Sequence, residues 1–217
     1  MFFDLHCHSI VSDDARATVG QYAKWIASLR RKGYRIDGIV LTEHRTFDRD
    51  GDYRAIEDAY DLAIFKASEL DTDAGHFLVY GVNDALLRQF DFANVRIDAV
   101  ELVRRCEAEG AIAVPAHPGR ERVSFIDLAG DRDFSLVRAV EVINGGSREW
   151  ENRRAQALAG ERGYVGIAGS DAHFVNAIGR TLTRILTPVR TMDDLVAAIR
   201  SGAVAPATLD DTRTVAA

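Results

Sequence analysis

The chain has 217 residues, 47% of them hydrophobic and 28% charged, with a formal net charge of −6. That balance supports a buried core beneath a wetted surface and excludes disordered, collagen-like and fibrous classes. The negative charge argues against a broad nucleic-acid groove or an anionic membrane surface, where basic patches supply most of the binding. Two cysteines, Cys7 and Cys106, are too few for a disulfide framework, and the opening MFFDLHCHSI has no basic segment ahead of an apolar run. No apolar stretch approaches the roughly 18 residues of a membrane span, so a cytoplasmic protein is expected.

In chain order, a strand is predicted over 2–5, then a helix over 21–32 in which Tyr22, Ile26 and Leu29 share one apolar face, closed by Gly33. Strands follow at 38–42, 62–67 and 77–80. A helix over 97–109 ends before Gly110 and leads into a strand at 111–114. A strand at 139–143, a helix at 149–162 closed by Gly163, and a strand at 164–168 repeat the alternation. A last helix over 191–200 has Thr191 and Asp194 at capping-box spacing. About seven strands alternating with helices imply a single α/β domain over 1–202, with a mainly parallel sheet closed or nearly closed into a barrel. Residues 203–217 read as a loosely packed tail.

The chemistry-bearing residues gather at strand ends. Asp4-Leu5-His6-Cys7-His8 ends the first strand, and alternation sends Asp4, His6 and His8 to one side and Cys7 to the other. Thr42-Glu43-His44, Ala67-Ser68-Glu69, Pro115-Ala116-His117-Pro118 and Gly169-Ser170-Asp171-Ala172-His173 end four more. Parallel α/β folds collect such ends on one face and place their active sites there.

These stretches, together with DLHCHSIVSDD, ELDTDAGHFLVYG, VPAHPGR and EVINGGSREWENRRAQALA, make the chain resemble the polymerase and histidinol phosphatase (PHP) family of metal-dependent phosphoesterases over nearly its whole length. The resemblance implies a distorted (β/α)7 TIM-like barrel. It also implies nine metal ligands that use all six histidines. His6, His8, Glu69 and Asp171 would hold one ion, and Glu69 would bridge to a second held by His76 and His117. Asp13, His44 and His173 would hold a third, with Asp13 preferred to its neighbour Asp14 by its spacing from His8. His76 begins its strand, so in a purely parallel barrel it would sit on the wrong face; either that strand runs the other way or a loop delivers it.

Mixed imidazole and carboxylate donors suit manganese, zinc or iron better than magnesium or calcium. Two to three such ions could activate water to hydroxide near neutral pH and stabilise charge on a phosphoryl group. A phosphate monoesterase acting on a small molecule, nucleotide or sugar phosphate is therefore expected, with Glu69, Asp171 and His173 as catalytic residues. The ions would offset most of the −6 formal charge and concentrate positive potential in one pocket. Arg120, Arg148 and Arg180 are candidates for gripping phosphate, and Ser147 is the expected N-cap of the helix that follows it. Short connections leave little room for a lid, so the site is either open to larger phosphoesters or completed by a neighbouring subunit. Alternative readings are a phosphodiesterase or exonuclease, an amide-type metal hydrolase, and a non-catalytic metal-binding module.

Overall fold

The computed structural model describes residues 1–213. Its elements run β1 (Phe2–Cys7), α1 (Val19–Arg31), β2 (Gly38–His44), α2 (Arg54–Tyr60), β3 (Ala63–Thr72), β4 (Gly75–Tyr80), α3 (Asp84–Gln89) and α4 (Ala99–Ala108). Then follow β5 (Ile112–Pro115), α5 (Phe125–Leu128), β6 (Ala139–Asn144), α6 (Glu149–Arg162), β7 (Val165–Gly169), β8 (Thr181–Ile185), α7 (Met192–Arg200) and β9 (Val204–Thr208). All seven expected strands are present, within a residue or two of their expected starts.

Seven strands form one curled sheet in the order β5-β4-β3-β2-β1-β8-β9, and β6 and β7 form a separate parallel pair. The sheet is less parallel than the sequence suggested. β1, β2 and β3 are parallel, but β4 runs antiparallel to β3 and β5 antiparallel to β4. The reversal at β3–β4 is a tight turn in which Gly75 has φ +92 and an added Cβ would lie 2.4 Å from the Val123 carbonyl oxygen, so no side chain fits there. This hairpin replaces one expected βα crossover.

The first half of β1 pairs with β8, through Phe2↔Arg184 and Phe3↔Thr183. Its far end pairs with the segment after β7, where the Asp171 amide donates to the His6 carbonyl at 2.7 Å and the His8 amide to Ala172 at 2.9 Å. Gly169 permits that approach, since a Cβ there would fall 2.3 Å from the His6 Cβ. The β6–β7 pair thus caps the open side of the curled sheet.

Residues 203–213 are not a loose tail. β9 zips antiparallel along β8, with Val204 and Ala207 buried, and Thr212 is buried behind it. Residues 214–217 of the expected tail lie outside the described residues. The core has an interior cluster including Phe3, Leu5, Val40, Leu78, Tyr80 and Val114, closed from below by Leu195 and Ile199 of α7. An outer layer packs α1, through Tyr22, Ile26 and Leu29, on Ile39 and Leu41. The Thr191–Asp194 capping box of α7 is present. Among the described residues no helix is long and apolar enough to cross a membrane.

Candidate metal centre

Strict alternation does not deliver the β1 ligands. A register irregularity between Asp4 and Cys7 lets Phe3 and Leu5 fill the interior core while His6 and His8 turn toward Glu69 and Asp171 and Cys7 joins the layer under α1. β-Bulges recur beside active sites because they re-aim side chains in this way. Asp4 is not part of the His6–His8 cluster. It is fully buried and accepts from the Ser170 and Gly179 amides, both at 2.8 Å. Burial raises its pKa to about 6 against those hydrogen bonds. From the α1 side, the Tyr22 hydroxyl donates to the His8 carbonyl at 2.7 Å and the Ala172 carbonyl at 2.9 Å, tying the two ligand-bearing segments together.

Glu69, fully buried at the centre, faces two ways. Its Oε2 lies 3.1 Å from His6 Nε2, 3.3 Å from His8 Nε2 and 3.2 Å from His44 Nδ1. Its Oε1 lies 3.0 Å from His76 Nδ1 and 2.9 Å from His117 Nε2. The antiparallel course of β4 settles how His76 arrives: with Asp71 opposite His76 in the ladder, the start of β4 lies level with the end of β3. Asp171 Oδ1 completes the inner group, 3.4 Å from His6 Nε2 and 3.3 Å from His8 Nε2. Within 4.8 Å the donors form three overlapping groups: His6, His8, Glu69 and Asp171; Glu69, His76 and His117; and His8, His44 and His173.

The expected ligand Asp13 does not join them. Its side chain is 76% exposed and pairs with Arg45 at 3.2 Å. Asp14 turns inward instead, with Oδ2 3.3 Å from His173 Nε2 and 3.5 Å from His44 Nε2. Spacing along an irregular loop cannot tell neighbouring residues apart, because such a loop has no fixed period. Three residues at the cleft, Arg45, His117 and Asp171, hold left-handed φ values of 52, 28 and 53. Backbone held there costs about 1–3 kcal/mol per residue and persists only where surroundings enforce it.

The donor set fits divalent transition ions. His6 Nε2 and His8 Nε2 stand 3.1 Å apart, and His44 Nε2 and His173 Nε2 3.3 Å apart. Each ring-nitrogen pair needs a proton or a shared cation between its members. The Nδ1 atoms of His8 and His117 are buried without partners. Burial alone would lower the pKa of His6, but Glu141, Asp171 and Glu69 outweigh it and hold the ring well above 6.5. His8 is likewise carried up to about 9 against burial, by Asp171 and Glu69. Burial dominates for His44, which falls to about 4, and lowers His117. The inner carboxylates thus demand positive charge, which protons on His6 and His8 supply when no ion is bound.

Two buried acids behind the ligands were not assigned roles by sequence. Glu141 Oε1 lies 3.0 Å from His6 Nδ1, and its Oε2 accepts from the His117 amide at 2.8 Å and Asn144 Nδ2 at 2.9 Å. A carboxylate behind a ligand histidine fixes its tautomer and raises its basicity. The available signal was a lone acid inside the apolar strand AVEVIN. Glu43, whose role the sequence left open, is buried and accepts from the Ser9 amide at 3.1 Å and the Ser12 hydroxyl at 2.5 Å, bracing the loop that carries Asp14.

His44, His76, His117, Asp171 and His173 line a cleft of about 240 Å³ whose wall also includes Asp14, Arg45, Asp71 and Arg120, while His6, His8 and Glu69 are fully buried. Of the three expected phosphate-binding arginines only Arg120 is there; its Nη2 donates to Asp171 Oδ2 and Asn144 Oδ1, both at 2.7 Å. Arg148 lies 3.7 Å from Glu121, Arg180 donates to the Asn176 carbonyl, and neither lines the cleft. Ser147 accepts from Arg120 at 3.1 Å, and the N-cap of α6 is Arg148. Arg45, not singled out from sequence, supplies the second cleft cation.

Residues 149–204 match a family model described as PHP-associated. No curated protein matches the chain. Among solved structures, PsfC from Pseudomonas syringae superposes with a TM-score of 0.69 at 19% identity, covering 97% of this chain and 92% of that one. A Bifidobacterium adolescentis protein assigned as a metal-dependent phosphoesterase gives 0.54 at 14% identity, covering 79% and 87%. Endonuclease Q, in complex with a 27-mer duplex bearing an abasic lesion, gives 0.60 at 16% identity, covering 92% of this chain and 56% of that one. Residues 149–204 thus match a PHP-associated family model, and the chain shares its fold with these solved structures over most of its length. The expectation against nucleic acid, drawn from net charge, finds no support: endonuclease Q, which shares this fold, holds a 27-mer duplex substrate with an abasic lesion at its active site. Net charge averages the whole surface, whereas binding depends on the potential at one face.

Proposed function

We propose that the protein is a metal-dependent phosphoesterase that hydrolyses a phosphate monoester. The observation that carries the reading is the convergence of six histidines with Glu69 and Asp171 into three overlapping donor groups, walled by two arginines in one cleft. His6, His8, Glu69 and Asp171 would hold one ion, Glu69, His76 and His117 a second, and His44 and His173, with Asp14 in place of Asp13, a third. Manganese, zinc or iron suits these donors. Bound there, such ions would lower the pKa of water and neutralise developing phosphoryl charge.

The chain's own residues position and balance charge. Glu69 sets the separation of the inner groups through its two oxygens. Arg120 is held by Asp171, Asn144 and Ser147, so its remaining guanidinium edge is oriented before a phosphate arrives. His173, half-buried at the rim, has Nδ1 3.0 Å from the Asp171 carbonyl, which leaves its Nε2 turned toward His44 and Asp14 for the third ion. Phosphodiester cleavage is the second reading, favoured by the fold shared with endonuclease Q.

Elemental analysis of purified protein, followed by a panel of mono- and diesters with each metal, tests both. Turnover of monoesters, with loss of metal and rate in Asp171→Asn, is expected. Faster cleavage of diesters would select the second reading. An unaltered metal content and rate in Asp171→Asn would sink both.

A further inference from the structure

A second cavity of about 430 Å³ adjoins the metal cleft, walled by Arg45, Phe47, Arg49, Leu87 and Phe90 with Phe92 beneath. The two cavities share one residue, Arg45. Its left-handed backbone, φ 52, turns the chain at the end of β2. Its guanidinium then sits 3.5 Å from Asp71, a cleft residue, while the following residues line the groove.

Phe47, Leu87 and Phe90 are half-exposed, with their inner sides packed on the apolar layer that includes Leu86, Phe92 and Leu102. The Lys66 ammonium lies 5.9 Å from the Phe47 ring centre, and Arg49 pairs with Asp84 at the outer rim. The groove therefore has an apolar, aromatic lining and a cationic edge, and it shares Arg45 with the cleft where a phosphate would sit. Nothing in the chemistry of the metal cleft requires it. A polyol would gain little from an aromatic floor, whereas a flat ring gains stacking and loses little entropy. The volume lies within the roughly 300–1,000 Å³ typical of small-ligand sites.

We propose that this groove is the leaving-group subsite, and that the substrate is a phosphoester of a planar ring-bearing alcohol: a nucleoside or aryl phosphate. The inference rests on reading the metal cleft as a phosphoester site. The test begins with equilibrium binding of phenylphosphonate and methylphosphonate to the manganese-loaded protein. Phenylphosphonate is expected to bind at least ~10-fold more tightly, the scale of one ring stacked on an aromatic side chain. Phe90→Leu, which keeps apolar volume but removes the flat face, should collapse that ratio. Phe47→Leu serves the same purpose should the first variant melt early.

Equal affinities overturn the proposal. So does a preference that survives both variants but disappears in Phe174→Leu, because Phe174, exposed beside His173, would place the ring on the opposite rim. Turnover of a nucleoside monophosphate, phenyl phosphate and glycerol phosphate then separates the two levels. A ten-fold advantage in kcat/KM for either ring ester over glycerol phosphate upholds the subsite, and the better of the two names its source. Turnover without that preference rejects the subsite alone. Selective phosphonate binding with no turnover keeps the subsite and rejects the phosphoesterase.

Discussion

The inner and outer halves of the metal centre are built differently. His6, His8 and Glu69 are fully buried and Asp171 nearly so, with Glu141 behind His6 and Arg120 on Asp171. His44, His173 and Asp14 line the mouth, with Asp14 on a loop and 54% exposed. The inner half stores electrostatic demand: against the effect of burial, the buried carboxylates Glu69 and Asp171 raise the pKa values of His6 and His8. The outer half stores little, because solvent shares its charge. A rigid, buried inner group and a more exposed outer one would suit the proposed centre, in which inner ions stay while substrate exchanges.

The largest effect should come from Glu69→Ala, which removes the one side chain facing both inner groups. Metal affinity measured by competition with a chelator is expected to fall by more than the roughly 100-fold that marks the upper range for a residue behind a ligand. A smaller change would mean that the two groups do not depend on a shared carboxylate. Glu141→Gln should come next, with a loss of about 10–100-fold in inner-site affinity and an altered His6 tautomer by nitrogen NMR. An unaltered tautomer would show that Glu141 is only packing.

In the outer half, Asp14→Asn should weaken binding of the last ion by roughly five-fold, the scale of ~1 kcal/mol for a half-exposed charge, while Asp13→Asn leaves it unchanged. The reverse ranking would restore Asp13 as the ligand. The smallest expected effect is on melting temperature, by several degrees. In metal-free protein, folded His8 keeps its proton up to about 9 against an ordinary 6.5, so stability from this group is full below 6.5 and lost as pH rises through 9. His44 behaves oppositely: its folded value of about 4 means that the unfolded chain binds the proton first, and stability falls as pH drops from 6.5 toward 4. Metal loading should flatten the alkaline limb, since the ion takes the place of the His8 proton. A metal-free alkaline limb already flat would contradict the charge demand inferred for the inner half.

Much of this centre was legible before folding because histidines and acids at strand ends carry a local signal. His6, His8, Glu69, His117 and Asp171 needed only the rule that strand ends converge. His76 needed the direction of β4, which Gly75 and the pairing with β3 decide. The spacing favoured Asp13, whereas it is Asp14 that turns toward His44 and His173, because side-chain direction in a loop depends on tertiary contacts such as Ser12 with Glu43. Arg45 carried no motif, and Arg148 and Arg180 were reasonable only while every βα loop was assumed to open on one face.

By itself the sequence determined the α/β alternation, the positions of seven strands, the Thr191–Asp194 capping box and the gathering of histidines and acids at strand ends. These follow from side-chain type and from periods of 2 and 3.6 residues, which are properties of the chain near each position. Only the tertiary structure decided the antiparallel β3–β4–β5 run, the bulge that separates Asp4 from His6, the β8–β9 hairpin in place of a tail, and Glu141 behind His6. Each depends on which distant segment offers a hydrogen bond or a charge, and no local pattern encodes that choice.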